Sequence, residues 1–151
     1  MNTRTLSSLI LLAILWITSC VEEENPYTIP YSRVYFQIDI NGLDSDLSFF
    51  SHKLFTQPRT VGESTGYGGL LIFRSHQGEI SAYDLSCPHE KNKDIRVEPK
   101  NNGKAVCPEC ESVFVTMYGL GTCESGPSQN PLQKYNVRQN PQREGVFLIV
   151  N

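Results

Sequence analysis

The chain has 151 residues, enough for one domain with extensions. It carries 13 Lys and Arg against 16 Asp and Glu, a net charge of −3. That mild acidity argues against nucleic acid as a partner, because phosphate binding needs clustered basic side chains.

In chain order, the first element is not part of a fold. Arg4 precedes an apolar run at residues 9–17 (LILLAILWI). Nine apolar residues are too few to cross a bilayer, which takes about 20. Residues 1–19 therefore read as a signal peptide. The following ITSC, ending at Cys20, resembles a bacterial lipobox. The resemblance implies that Cys20 becomes a lipidated N-terminus holding an exported chain to the membrane of a Gram-negative bacterium, at its periplasmic face or at the cell surface. Several acyl chains, each gaining about 0.8 kcal/mol per buried methylene, make such an anchor stable. Residues 20–32, with acids at 22–24 and prolines at 26 and 30, read as a tether, and residues 33–151 as the domain.

The domain is predicted to be all-β. Residues 34–40 (VYFQIDI) alternate and end at Asn41-Gly42, as a strand would. Residues 43–59 are ambiguous between strand and irregular cover. The glycine-rich stretch 62–69 (GESTGYGG) is predicted to be a flexible loop, with no Lys-Ser or Lys-Thr after it to suggest phosphate binding. LLIFR (70–74) and ISAYD (80–84) flank a glycine-containing turn and predict a hairpin. Asn102-Gly103 predicts a second hairpin returning through Ala105-Val106. Residues 113–116 and 146–150 (VFLIV) complete the strands, and no internal repeat or heptad occurs.

Each predicted hairpin delivers the chain into a cysteine loop: Cys87-Pro88-His89 after the first, Cys107-Pro108-Glu109-Cys110 after the second. Two such turns facing each other can aim three sulfurs and an imidazole at one point, as metal sites require. Cysteine arithmetic allows another reading. Without Cys20, four cysteines remain, Cys123 included, and in an oxidising compartment an even number defaults to two disulfides with three possible pairings. Cys123 is thus a candidate disulfide partner or extra ligand. Of the other histidines, His76 is expected to be a solvated turn residue and His52 to be exposed or hydrogen-bonded. No Ser-His-Asp arrangement or His-Glu-x-x-His motif suggests a separate catalytic centre.

Cys87-x-His89, seventeen residues, then Cys107-x-x resembles the ligand pattern of the Rieske-type [2Fe–2S] proteins, with Cys110 where the second histidine of that pattern stands. The resemblance covers residues 68–151. It includes Ser112-Val113-Phe114, Gly126-Pro127, Leu132, Tyr135, Val137 and the closing VFLIVN. It implies stacked antiparallel sheets carrying a small two-loop cluster-binding lobe, with Gly126 and Pro127 in the loop covering the cluster. It further implies a single-electron carrier working with a redox partner protein. Short exported Rieske-like lipoproteins of Bacteroidetes are similar. On this pattern Cys87, His89, Cys107 and Cys110 would hold a [2Fe–2S] cluster as a Cys3His set. The same four residues suit tetrahedral zinc, and a cofactor-free binding module stapled by disulfides would also keep the fold.

Overall fold

The computed structural model describes residues 27–151. The segment expected to be a signal peptide, Cys20 and most of the expected tether lie outside the described residues. The described chain is all-β, with eleven strands: β1 (Val34–Asp39), β2 (Ser51–Phe55), β3 (Ser64–Thr65), β4 (Leu70–Arg74), β5 (Ile80–Asp84), β6 (Glu98–Lys100), β7 (Lys104–Val106), β8 (Val113–Val115), β9 (Thr122–Ser125), β10 (Lys134–Gln139) and β11 (Val146–Val150).

Seven strands form one sheet, in the order β2-β4-β5-β10-β11-β1-β3, and β6-β7-β8-β9 form the second. All the strand pairings are antiparallel. The larger sheet curls into a nearly closed barrel. Its interior holds one core, including Val34, Phe36, Ile38, Leu47, Phe55, Leu70, Ile72 and Ile149. In β1 these residues alternate with the exposed Tyr35 and Gln37, the period-2 pattern of a strand with one dry face.

β4 and β5 behave differently, and this positions the site. Leu70, Ile72 and Ala82 point into the barrel. Leu71 and Tyr83 point the other way, into a second core with Leu85, Cys87, Val97, Ala105, Cys107, Phe114 and Leu132. A hairpin dry on both faces needs apolar residues at successive positions, which is why LLIFR lacks alternation. The small sheet and both cysteine loops are therefore packed onto the barrel through a shared wall. Tyr83 reinforces it by donating its hydroxyl to Thr116 O at 3.0 Å, while Thr116 Oγ1 donates to Gly103 O at 2.8 Å.

The stretch 62–69 is a correction to the sequence reading. It is not a featureless loop: Ser64–Thr65 pairs with Val34 and Tyr35, and Gly66 N–H donates to Arg33 O. Its glycines serve close approach. A Cβ on Gly66 would lie 2.7 Å from Asp84 Oδ2, and one on Gly68 would lie 2.6 Å from Ser86 N. Asp84, fully buried, collects the N–H groups of Tyr67, Gly68 and Ser86 and the hydroxyl of Tyr135. Burial pushes its carboxyl up, and these four donors pull it back part of the way. The ambiguous segment 43–59 is turn-rich as far as residue 50 and then becomes edge strand β2. Its buried Asp44 is held by Lys53 at 3.0 Å and Arg59 at 2.9 Å. His76 is exposed but not merely solvated: its ring stacks on Phe50 at 4.1 Å. His52 is partly buried, and that burial lowers its pKa.

Candidate metal centre

The two cysteine loops have the same backbone construction. Each opens with Cys-Pro, the proline pre-setting the turn. Lys91 N–H closes the first onto Cys87 O at 2.9 Å, and Glu111 N–H closes the second onto Cys107 O at 3.1 Å. Both closing residues take left-handed backbone, with φ of 50° at Lys91 and 57° at Glu111. Non-glycine residues rarely adopt this conformation, which marks two imposed knuckles rather than relaxed loops. The first follows β5 through Ser86, which bridges to Arg96; the second lies between β7 and β8.

The knuckles bring together Cys87, Cys107 and Cys110, whose sulfurs all lie within 4.8 Å of one another. Cys87 and Cys110, on opposite knuckles, are 3.6 Å apart. Cys87 and Cys107 are fully buried, and Cys110 is half-buried. Two residues expected at the centre stand outside this group. His89 is exposed, facing a cleft of about 300 Å³ with Pro88, Lys91, Pro127, Gln129 and Asn130. Cys123 packs against the same core but turns its thiol to Ser125 O at 3.2 Å. All four described cysteines are free thiols.

The thiols differ electrically. Burial pushes Cys87 up to about 12, against the opposing N–H groups of Glu90 and His89. Burial alone would raise Cys110 as well, but the hydroxyl and N–H of Ser112 and the thiols of Cys107 and Cys87 outweigh it, so Cys110 is lowered. Cys123 is raised by burial, and by charge on Cys110. A metal bound through Cys87 would therefore displace its proton. Loading should release protons, and apparent affinity should climb as pH rises from 6 to 9, roughly tenfold per unit for each thiol still protonated. Competition with a chelator of known affinity across that range, in the native chain and in Cys87→Ser, measures the slope; the same slope in both would remove Cys87 from the ligands.

The model of the Rieske [2Fe-2S] domain family matches residues 45–136. The chain belongs to that family. No curated protein matches it. Among solved structures, it is similar to a protein described as an NADH-dependent nitrite reductase small subunit from Mycobacterium tuberculosis, at 13% identity and a TM-score of 0.48, covering 80% of this chain and 96% of that one. It is also similar to a chain from a complex of reduced oxygenase and oxidized ferredoxin in carbazole 1,9a-dioxygenase, at 15% identity and a TM-score of 0.47, covering 79% of this chain and 94% of that one.

The donor chemistry of this Rieske domain fits an iron–sulfur centre, since soft thiolates select such clusters. The three converging thiols form a ligand group of the right chemistry for such a centre. The loop after β9 lies against them. Gly126, with φ of 100°, passes so close to Ser112 that a Cβ would lie 2.5 Å from Ser112 Cα, and Ser128 N–H donates to Ser112 Oγ at 3.1 Å. Gly126→Ala should accordingly cost about 1–3 kcal/mol in urea unfolding, through both strained φ and displaced backbone. A loss below about 0.5 kcal/mol would show that the loop is free to move away.

Sequence reasoning missed Ser112's part in the site. Its hydroxyl is fully buried and 3.2 Å from Cys110 Sγ. The signal was present in its position two residues after Cys110.

Proposed function

We propose that this protein is an exported, lipid-anchored Rieske-type carrier of single electrons, with a [2Fe–2S] centre held by Cys87, Cys107 and Cys110 and completed by His89. The observation that carries the reading is the convergence of three sulfurs within 4.8 Å at the tips of two matched knuckles. His89 is the imidazole adjoining them in the sequence, two residues from Cys87, and its exposed ring suits the edge where electrons leave.

The cluster supplies one-electron chemistry when bound; the chain supplies its charge and surroundings. Three thiolates in place of two leave a net charge of −1 on an oxidised 2+ core. Together with the exposed Glu109 and Glu111, that extra charge favours the oxidised form and sets the potential below that of two-histidine centres. The cleft beside Pro88, His89 and Pro127 is the docking face for a redox partner protein. Anchoring rests on the lipobox-like ITSC.

Purified, thiol-reduced protein reconstituted with iron and sulfide should hold two irons and two labile sulfides per chain and, after one-electron reduction with dithionite, give an EPR signal with one nitrogen ligand. One zinc per chain with no sulfide, or no metal, would overturn the reading. Cys20→Ala should abolish acyl labelling and release the protein from the envelope; retention would overturn the anchor alone.

A further inference from the structure

Cys87 and Cys110 lie 23 positions apart on different knuckles, yet their sulfurs are 3.6 Å from each other. The two thiols are unequally accessible: Cys87 is sealed in the core, whereas Cys110 is half-buried and open to a reactant. Ser112 helps fix where Cys110 points. Its hydroxyl, held by the N–H of Ser128 at 3.1 Å, sits 3.2 Å from Cys110 Sγ. Cys123 is engaged elsewhere, on Ser125 O. A disulfide needs its sulfurs about 2 Å apart, so this pair closes with a shift of roughly 1.5 Å between two side chains at loop tips. The barrel strands need not move.

We propose that Cys87 and Cys110 form a reversible thiol–disulfide switch that dismantles the ligand set. The proposal rests on the reading of these thiols as metal ligands. The oxidant is a disulfide, either a small-molecule one or one on a partner protein. Cys110 attacks it, forming a mixed disulfide and releasing one reduced thiol that takes up the Cys110 proton. Cys87 then attacks the Cys110 sulfur. The Cys87–Cys110 bond forms, the mixed bond breaks, and the second thiol leaves with the Cys87 proton. Two electrons and two protons pass from the protein to the oxidant. Two of the three converging sulfurs are then joined to each other, so the centre cannot be held. In an exported chain, where disulfides persist, this makes metal loading conditional on a reducing supply of thiols.

The test uses the processed full chain, equilibrated in glutathione buffers of graded oxidation, alkylated and mapped by mass spectrometry. Alkylatable thiols among the four should fall to two, with one cross-link between the Cys87 and Cys110 peptides, reversed by dithiothreitol. Cys107→Ser and Cys123→Ser should keep the cross-link, and Cys110→Ser should lose it. Iron-loaded protein should release its iron over the same range. A cross-link joining Cys107 to Cys110, or Cys110 to Cys123, would overturn the proposal, as would four alkylatable thiols at every buffer ratio. Protein that takes up no iron and sulfide when reduced, yet forms the Cys87–Cys110 bond, would uphold the thiol pair and overturn the electron-carrier reading. Protein that loads iron and never cross-links would do the reverse.

Discussion

Cys110→His should raise the midpoint potential of the reconstituted centre by roughly 200 mV or more, toward the range of two-histidine Rieske centres and away from that of all-cysteine ferredoxins. The argument is one of charge. Imidazole binds as a neutral ligand, so the substitution removes one negative charge from the donor set and favours the reduced form. It also adds a second titratable ring, so the potential should become more strongly pH-dependent near and above neutrality. Ser112 Oγ, now 3.2 Å from a sulfur, would face a ring instead, and Glu109 and Glu111 remain as the acidic surroundings. Those acids depress the potential of the native chain and the variant alike, so the variant should stay at the low end of its class. Cys110→Ser is the companion: a hydroxyl is a poor substitute for a thiolate, and most bound iron should be lost. Voltammetry of both variants decides the point. An unchanged potential in Cys110→His, with iron retained in Cys110→Ser, would mean that position 110 is no ligand.

The family and much of the barrel were legible because they rest on local signals. The Cys-x-His and Cys-x-x-Cys spacing, the apolar LLIFR and ISAYD around their glycine turn, and the closing VFLIV each state their role within a few residues. β4 and β5 fall where the sequence predicts them. What stayed hidden depends on distant partners. β3 lies in a glycine run whose purpose, close approach to Asp84, is visible only once β5 stands beside it. β9 (TCES) is polar and largely exposed, so it has no hydrophobic period to detect. β6 (EPK) carries a proline, which suits an edge strand but breaks the usual strand signature. At the site, spacing brought out the two knuckles but not their inner order. The 3.6 Å contact of Cys110 with Cys87, and the placing of His89 outside the three-sulfur group, are properties of side-chain direction.

Asp84→Ala should be among the most damaging single changes in the chain, costing about 3–5 kcal/mol and lowering the melting temperature by roughly 10–20 °C. Four donors converge on this carboxylate: Ser86 N–H at 2.7 Å and Gly68 N–H at 2.9 Å on Oδ1, Tyr67 N–H at 2.8 Å and the Tyr135 hydroxyl at 2.7 Å on Oδ2. Truncation strands three backbone N–H groups in a pocket too tight to remodel, since Gly66 and Gly68 are already pressed against Asp84 and Ser86. Tyr135→Phe removes only one donor and leaves the carboxylate three, so about 1–2 kcal/mol is expected. If Asp84→Ala proves too unstable to purify, the tyrosine variant still tests the network. The damage should reach the metal centre, because Ser86 immediately precedes Cys87 and the Gly68 carbonyl accepts Arg96 Nε at 2.6 Å, beside the Ser86–Arg96 bridge. Freed from Asp84, the first knuckle loses its fixed entry, and Cys87 no longer meets Cys107 and Cys110 at a set distance. Iron retention should therefore fall in both variants in the order of their stability losses. Urea unfolding with iron analysis on the same samples measures both quantities. A loss below about 1 kcal/mol in Asp84→Ala would show that water or neighbouring groups satisfy those donors, and that the buried carboxylate is not what holds the first knuckle in place.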